Sequence, residues 1–336
     1  MRKDDPLVSI VTPVYNGEQY LSECIESVLA QTYTHWDYTI VNNCSTDRTL
    51  DIAREYSARD PRIRVHNNDT FVRVNANYNI AFRQISLESK YCKVLAADDW
   101  LFPECLEKMV RVAEQHSDVA IVGSYNLQGT KLMYGGILPY STTVMPGRDA
   151  CRWRLLGGVF IFAAASHGLL RADLVRRRPS FYNESNFHAD LEVNFDLLEH
   201  HDFGFVHQVL TFRREHDESL TTRLADRLNT YLPNQLSGLV NYGPRYLNAA
   251  EQKGRLRELL SNYYRYLATQ IYERQGREFW SFHRSKLAEV GFPLSRSRLA
   301  AQVALHTLGL LFNPGSTIER VVRRLRRVYF GSSPPA

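Results

Sequence analysis

The chain of 336 residues lacks a long apolar run. A transmembrane helix needs about 20 consecutive, mainly apolar residues, and no segment approaches this length. Residues 1–6 also lack the apolar region of a signal peptide. We therefore expect a globular protein that starts and stays in the cytoplasm. Its 44% hydrophobic and 23% charged residues are ordinary for that class.

Cysteine is scarce and irregularly spaced. The count is five, which is odd, and no Cys-x-x-Cys pair occurs, so the sequence favours neither a disulfide framework nor a zinc site. We expect reduced thiols that are mostly buried. They are Cys24, Cys44, Cys92, Cys105 and Cys151.

Glycine-rich phosphate loops are also missing. No Gly-x-Gly-x-x-Gly motif follows the first predicted strand, which argues against an NAD-linked oxidoreductase. Residues 13–20 do not form a basic, glycine-rich loop either. A nucleotidyltransferase, which also has an α/β nucleotide fold, would normally show such a loop. This enzyme class is therefore not favoured either.

The net charge of +5 is concentrated at the C-terminal end. Residues 291–336 contain seven arginines and one acid, so the rest of the chain sums to −1. Apolar residues at 299–312, followed by an arginine cluster at 320–327, allow two interpretations. One is a basic amphipathic helix on anionic lipid, and the other is a helix packed on the preceding domain with a solvated arginine face. A nucleic acid partner is not expected, because the basic residues belong to no recognisable binding module.

Strand and helix patterns alternate through the first part of the chain. Residues 7–15 and 37–41 are rich in apolar and β-branched residues, as in buried strands, and shorter runs occur at 63–66 and 93–97. Apolar residues at helical spacing separate these runs, and Ser45 is a candidate cap of the second helix. The pattern predicts βαβ units, hence an α/β fold with a mainly parallel sheet flanked by helices.

Two adjacent carboxylates, Asp98 and Asp99, follow the fourth predicted strand. Open α/β sheets bind ligands at the carboxyl ends of their strands. Mg²⁺ and Mn²⁺ prefer carboxylate oxygens together with the phosphates of a substrate. The pair therefore indicates a metal that bridges to a nucleoside diphosphate. The alternative is that these acids cap the helix that starts near Glu104.

Five motifs follow one another between residues 6 and 222. They are Thr-Pro-Val-Tyr-Asn at 12–16, Asn-Asn-Cys-Ser-Thr-Asp at 42–47, Asp-Asp at 98–99, an acid-bearing helix start at 189–192 and Arg-x-His-x-x-Ser at 214–219. In this order and spacing the chain resembles the inverting family 2 glycosyltransferases of the bacterial surface-polysaccharide type. The resemblance implies a GT-A fold with a Rossmann-like sheet. It also implies Mn²⁺- or Mg²⁺-assisted transfer of a sugar from a UDP- or dTDP-sugar to a hydroxyl of a glycan or lipid-linked acceptor.

The resemblance also assigns roles to single residues. Asp190 aligns with the base that takes the proton of the acceptor hydroxyl, and Glu192 is its near rival. Asp99 and His216 align with metal ligands, and a metal there would neutralise charge on the departing diphosphate. The other matched positions are assigned to nucleotide-sugar binding. They are Pro13, Tyr15, Glu18, Asn43, Asn77, Asp98 and Arg214.

The chain departs from the family pattern at three places. Asn42 and Asn43 replace an Asp pair, Ala76 replaces an Arg, and Ala189 replaces a Glu beside the base. The carboxamide oxygen of Asn43 can still accept the uracil N–H, although asparagines also suit a tight turn. These changes leave a non-enzymatic alternative open, a degenerate sugar-nucleotide-binding or scaffold module. The acids that are retained at matched positions, Asp98, Asp99 and Asp190, favour an active enzyme over this alternative.

The periodicity becomes helical after about residue 225, where we place a domain boundary. The expected catalytic domain is 1–225, with a nucleotide-sugar half up to about residue 125 and an acceptor half at 126–225. A helical extension with the basic tail occupies 226–336. The tail would suit peripheral contact with the inner face of the plasma membrane.

Overall fold

The computed structural model describes residues 5–133, 138–158, 165–216 and 225–312, without residue 226. The predictions that concern Ser219 and the arginine cluster at 320–327 lie outside these residues. No helix within them is long and apolar enough to cross a membrane.

Four parallel strands and three helices form the first part of the sheet, as the sequence predicts. They are β1 (Val8–Val14), α1 (Leu21–Leu29), β2 (Trp36–Asn42), α2 (Thr49–Arg59), β3 (Ile63–Asn67), α3 (Val74–Arg83) and β4 (Tyr91–Val94). β1 is buried along its whole length, as expected for a strand covered on both faces. The order of these strands in the sheet is β3-β2-β1-β4.

The second part of the sheet is mixed. Its elements are β5 (Trp100–Leu101), α4 (Cys105–Gln115), β6 (Val119–Gln128), β7 (Lys131–Met133), β8 (Val144–Met145), α5 (Gly147–Leu155), β9 (Leu169–Arg171), α6 (Ala172–Arg176), α7 (Ala189–Leu198) and β10 (Asp202–Arg213). The order continues from β4 as β9-β6-β10-β5. β6 and β10 are parallel, whereas β9 is antiparallel to β4 and β6. A strand of two or three residues has too little periodicity to reveal its direction, which is why the sequence indicated a mainly parallel sheet.

Two loops at the carboxyl edge of the sheet are bonded to each other. After β1 and β2 the backbone adopts positive φ at Asn16 and Cys44, respectively. The Asn16 N–H donates to Ser45 Oγ at 3.0 Å. Ser45 is therefore not the cap of α2 that the sequence predicts. Asp47 Oδ1 accepts the Thr49 N–H at 3.0 Å instead, because it lies nearer to the first turn.

The helices bury apolar faces against the sheet. In α1 these are Leu21, Cys24, Ile25 and Val28, and in α4 they are Cys105, Leu106, Met109, Val110 and Ala113. All five cysteines are free thiols, and four of them are buried, which confirms the prediction from their spacing.

The chain divides into two compact units. One comprises Met1–Thr222 with Arg245–Leu247, and the other comprises Arg223–Pro244 with Asn248–Ala336. The helices in this last part of the sequence are α8 (Tyr231–Tyr246), α9 (Ala249–Tyr272), α10 (Arg277–Glu289) and α11 (Arg296–Phe312). The second unit has its own small core, which includes Tyr263, Leu267, Phe279 and Leu287.

Candidate active site

Asp98 and Asp99 lie just beyond β4, beside the end of β1. The Leu95 N–H donates to the Val11 carbonyl at 3.0 Å, which keeps the two strand ends together. The chain then turns, with the Asp99 N–H 3.0 Å from the Ala96 carbonyl. β1 lies between β2 and β4, so the pair stands where the strand order reverses. This is the position at which open α/β sheets bind ligands.

Asp99 is only 6% exposed, and two donors hold its carboxylate. The Arg214 N–H lies 3.1 Å from Oδ1, and the Ser166 hydroxyl is the second donor. Neither acid caps α4, which begins without a side-chain cap hydrogen bond. Burial first, and then the charge of Asp98, raise the pKa of the Asp99 carboxyl. A bound cation would oppose both effects, since it favours the ionised carboxylate.

A buried lysine holds the turn that carries Ser166. Lys93 on β4 has no exposed surface, and its Nζ donates to the carbonyl oxygens of Ser166 at 2.8 Å and Gly168 at 3.3 Å. Ser166 Oγ in turn accepts the Ala96 N–H at 2.9 Å. Burial lowers the pKa of the Lys93 ammonium, because it opposes the charged form. Lys93 therefore fixes Ser166, and through it Asp99, from inside the sheet.

His216 faces Asp98. Its Nε2 lies 3.0 Å from Asp98 Oδ2, and its ring centroid lies 5.1 Å from that of Tyr20. A carboxylate only accepts hydrogen bonds, so in the neutral imidazole Nε2 carries the proton and Nδ1 keeps its lone pair. Nδ1 is buried and has no hydrogen-bond partner among the described residues. A histidine oriented in this way by a carboxylate is suited to ligate a metal.

The predicted metal ligands Asp99 and His216 are thus both held next to Asp98. Across the ranges that the structure describes, no group of three or more His, Cys, Asp and Glu side chains could hold a metal by itself. Mg²⁺ and Mn²⁺ commonly take one or two protein ligands and complete their coordination with substrate phosphates. The donors present therefore fit an ion that binds together with a diphosphate.

Arg214, which the motif assigns to nucleotide-sugar binding, contacts the protein. Its Nε donates to the Asp98 carbonyl at 3.2 Å, and its guanidinium pairs with Glu23. The guanidinium carbon lies 4.6 Å from the ring centroid of Tyr20 and 5.1 Å from that of Trp100. These contacts hold the end of β10 against Asp98 and α1, and the nucleotide-sugar contact of Arg214 stays a prediction.

Arg213 is a basic residue whose charge acts on the acids of the site. Successive residues at the end of a strand alternate in direction, so Arg213 and Arg214 point to opposite faces. The positive charge of Arg213 acts on both Asp99 and Asp190 and counteracts the effect of burial on their pKa values. This places a fixed cation within electrostatic reach of both carboxylates.

Asn43 and Asn77, two predicted nucleotide contacts, belong to a buried amide network. Asn43 Oδ1 accepts the Val72 N–H and the Asn68 side-chain amide, both at 3.0 Å. Asn68 Nδ2 also donates to Asn77 Oδ1 at 2.9 Å, and Asn77 is buried. Both lone pairs of the Asn43 oxygen are occupied, so it has none for a uracil N–H. Both asparagines hold the loop before α3 in this structure, and their contacts with a nucleotide stay predictions.

Tyr15 stands at the open edge after β1. It is 49% exposed, and its ring lies edge-on to Phe71 at 4.9 Å, where Phe71 is 60% exposed. Glu18 is exposed and accepts the Arg48 N–H at 2.9 Å, whereas Pro13 is buried within β1. Of these predicted contacts, Tyr15 is the one that offers a flat, apolar surface to a nucleobase. Phe71 extends that surface and lies in no motif.

Asp190 is the second residue of α7. Its carboxylate accepts backbone N–H groups of Leu191 and of Asp190 itself, in the first turn of the helix, where the helix dipole favours negative charge. Burial outweighs these bonds and raises the pKa of the Asp190 carboxyl to about 6, with a smaller contribution from Glu192. Such a carboxylate is ionised at neutral pH and is a stronger base than an ordinary aspartate.

Residues of helix α3 interact with both the Asp98–Asp99 pair and the segment that precedes α7. Burial and then three nearby carboxylates raise the pKa of the Tyr78 hydroxyl. The three are Asp98, Asp99 and Asp190. The next residue, Asn79, holds the segment before α7: its Nδ2 donates to the Tyr182 carbonyl and its Oδ1 accepts the Tyr182 N–H, each at 2.8 Å. α3 therefore links the segment before α7, which carries Asp190, to the carboxylate pair.

Sequence motifs do not point to Ser166, Arg213 or Tyr78. Ser166 is far from Asp99 in the chain, and only the folded sheet brings them together. The other two each adjoin a matched residue, Arg214 and Asn77. Neighbours on a strand or helix point in different directions, so a motif match at one position does not show what the side chain beside it contacts.

The family model of Glycosyl transferase family 2 matches residues 9–174. Among curated proteins, the chain is similar to the "Putative teichuronic acid biosynthesis glycosyltransferase TuaG" of Bacillus subtilis (strain 168), with 35% identity over 125 residues. The matched part is 36% of this chain and 48% of TuaG, so the chain spans about half the length of that relative.

Solved structures share the fold. S. aureus TarS 1-349 in complex with UDP-GlcNAc matches with a TM-score of 0.62 and 18% identity, over 88% of this chain and 83% of that one. The mannosyltransferase PcManGT from Pyrobaculum calidifontis, in complex with GDP-Man and Mn²⁺, matches with a TM-score of 0.54 and 13% identity, over 97% and 88%. The GT-A fold predicted from the sequence is confirmed.

Proposed function

Because residues 9–174 belong to glycosyl transferase family 2, we propose that this chain transfers a sugar from a nucleoside diphosphate sugar to an acceptor hydroxyl, with inversion. One observation carries the proposal. The charges of Asp190, Asp98 and Asp99 all act on the one Tyr78 hydroxyl and raise its pKa, and the pKa of the Asp190 carboxyl is itself raised. The proposed base, Asp190, would then lie beside the proposed diphosphate site at Asp98 and Asp99.

In the proposed reaction, Asp190 takes the proton of the acceptor hydroxyl while the hydroxyl oxygen attacks the anomeric carbon. The bond from that carbon to the diphosphate oxygen breaks in the same step, and the nucleoside diphosphate leaves with the bonding electrons. Backbone N–H groups at the start of α7 hold the Asp190 carboxylate in place. The Tyr78 hydroxyl stays protonated because its pKa is raised, so it can donate a hydrogen bond into this space.

A divalent metal, Mn²⁺ or Mg²⁺, belongs to the proposal. Asp99 and His216 Nδ1 would hold it, with Asp98 orienting the histidine. When bound, such an ion supplies positive charge that stabilises the departing diphosphate. Arg213 adds a fixed positive charge near the same carboxylates.

The proposed donor is a UDP- or dTDP-sugar whose base stacks on Tyr15. The presence of UDP-GlcNAc in TarS supports UDP. The exposed rings of Tyr15 and Phe71 support stacking, which accepts any base. The Asn43 oxygen is hydrogen-bonded within the protein, so it does not by itself select uracil. The nucleobase preference therefore has to be measured by comparing the affinities for UDP and GDP, the nucleotide of the PcManGT donor.

The proposed acceptor is a hydroxyl of a glycan or of a lipid-linked oligosaccharide. Similarity to TuaG, whose name refers to teichuronic acid biosynthesis, supports a surface polymer. We further propose a catalytic domain at 1–225 and a helical extension at 226–336. The protein would act in the cytoplasm or peripherally at the inner face of the plasma membrane, without a nucleic acid partner.

Calorimetric titration of nucleotides into the purified chain tests this proposal. With Mn²⁺ or Mg²⁺ we expect UDP or dTDP to bind at least about tenfold more tightly than with chelator, because the metal joins the diphosphate to the carboxylates. Tyr15→Ala should weaken binding by about tenfold, through loss of stacking. Tyr140→Ala, at a tyrosine that is 84% exposed, is the matched control and should change nothing.

Absence of UDP and dTDP binding with either metal would contradict the nucleotide assignment. The scaffold alternative would then be preferred, provided that GDP also fails to bind. Tighter binding of GDP than of UDP would retain the reaction but replace the donor.

Lys93 and Ser166 make a second test of the site. Ser166→Ala removes a donor to Asp99, and Lys93→Met removes the ammonium that holds Ser166 while keeping the side-chain length. We expect each change to weaken metal-dependent UDP binding by about tenfold, the size expected for one hydrogen bond to a charged group.

If Lys93 acts through Ser166, the double variant binds UDP no more weakly than the weaker single variant. Additive losses would show that the two residues act separately. Ser285→Ala, at an exposed serine of α10, is the control, and thermal unfolding of each variant checks that the fold is retained.

A further inference from the structure

Helix α11 packs by one face onto α9. The Thr307 and Tyr272 hydroxyl groups lie 2.6 Å apart, and the rings of His306 and Tyr272 are 5.2 Å apart. At the start of the helix, Leu299 packs against the small core of the second unit. These contacts fix which side of α11 faces the protein.

The opposite face is apolar and exposed. Leu305, Leu308, Leu311 and Phe312 are 60%, 48%, 70% and 84% exposed. The spacing of 305, 308 and 312 puts these three side chains along one stripe of the helix. Residues 299–312 contain no Asp, Glu, Lys or Arg, so no charge interrupts this face. Exposed apolar stripes of this kind mark surfaces that meet another apolar phase.

Positive charge flanks the stripe in the sequence. Arg296 and Arg298 lie in the first turn of α11, and residues 313–336 contain five arginines and one glutamate. The same segments therefore combine an apolar surface with a net positive charge. Such a combination complements an anionic lipid surface, where basic residues contact headgroups and apolar side chains enter the acyl boundary.

We infer that the Leu305-Leu308-Phe312 face of α11 binds an anionic lipid surface, with the flanking arginines on the headgroups. The helix of 17 residues is about 25 Å long, shorter than a hydrocarbon core of about 30 Å, so it lies in the interface. A second copy of the chain is a poorer occupant, because the two basic segments would repel each other. The inference deepens the proposed membrane contact and rests on the proposed function only for its purpose, delivery of the active site to a lipid-linked acceptor.

Flotation of the full chain with lipid vesicles tests the inference. Vesicles contain phosphatidylcholine alone or with about a third phosphatidylglycerol, an anionic surface of the kind that attracts basic segments. We expect binding to the anionic vesicles, and a loss of at least about tenfold in affinity for Leu308→Ser/Phe312→Ser, because two large apolar side chains no longer enter the interface. The matched control is Leu87→Ser/Leu132→Ser, at leucines that are 86% and 52% exposed, and it should bind like the wild type.

Charge is tested in the same assay. Arg326→Gln/Arg327→Gln should weaken binding by about fivefold per arginine. Arg257→Gln/Arg265→Gln, at two exposed arginines of α9, removes the same charge elsewhere and should have a smaller effect.

Three results would overturn the inference. They are absence of binding to anionic vesicles, equal binding by the Leu308/Phe312 variant, and a wild-type dimer in sedimentation that this variant dissociates. The last result would assign the face to a second copy. Nucleotide titration of the same samples separates the two proposals, since UDP binding without vesicle binding removes the lipid surface and keeps the proposed function.

Discussion

Asp190→Asn is expected to lower the rate of sugar transfer by about a thousandfold while nucleotide affinity stays unchanged. The amide keeps the shape of the side chain and an oxygen for the α7 backbone N–H groups, but it cannot take a proton. The measurement is UDP release from UDP-GlcNAc, with water or added glycan as acceptor, beside the calorimetric affinity for UDP. Glu192→Gln is the matched control, and it should lose less than about threefold. A larger loss in that control would identify Glu192 as the base.

The pH profile gives an independent check on Asp190. Burial raises the pKa of this carboxyl to about 6, and the base must be ionised to act. The wild-type rate should therefore fall about tenfold per pH unit below pH 6 and level off above it. The folded state binds the Asp190 proton more tightly than the unfolded chain, where the pKa of the carboxyl is near 3.8. The contribution of Asp190 to the free energy of unfolding therefore falls as the pH rises from about 4 to about 6. Asp190→Asn should lack that part of the stability change and be at least as stable as the wild type at neutral pH.

The fold was predictable where strands are long and buried. Five of the seven residues of β1 are β-branched, and helical periodicity separates β1 to β4, so the parallel half follows from the sequence. β5 and β9 have two and three residues, and their direction depends on tertiary pairing. No local pattern distinguishes such segments from loops.

The site was predictable at the level of positions, and less so at the level of side-chain direction. Motif spacing brought Asp98, Asp99 and His216 together, as the structure shows. It also selected Arg214 and Asn43, whose polar atoms are bonded within the protein. The direction of a side chain depends on its position in the alternation of the strand and on the other protein groups that can bind it. A short sequence motif contains neither kind of information.

The prediction with the largest effect on binding concerns Asp99. Asp99→Asn keeps an oxygen that accepts the Arg214 N–H and the Ser166 hydroxyl, so the turn after β4 should stay in place. It removes the negative charge that would face a divalent ion. We expect the affinity for UDP in the presence of Mn²⁺ to fall by about a hundredfold, as for the loss of a metal ligand, with no change in chelator. Calorimetry of both proteins, with and without chelator, measures the difference.

The control for Asp99→Asn is Asp118→Asn, which removes the same charge at an exposed position before β6. It should bind UDP as the wild type does, because a distant surface charge is screened by salt. A fall in affinity that is equal with metal and with chelator would mean that Asp99 contacts the nucleotide itself. Unchanged affinity would place the ion elsewhere, and with it the diphosphate. Since Asp99, Asp98 and His216 converge at the carboxyl end of β4, a loss confined to the metal-containing samples would link the sheet edge to the leaving group of the reaction.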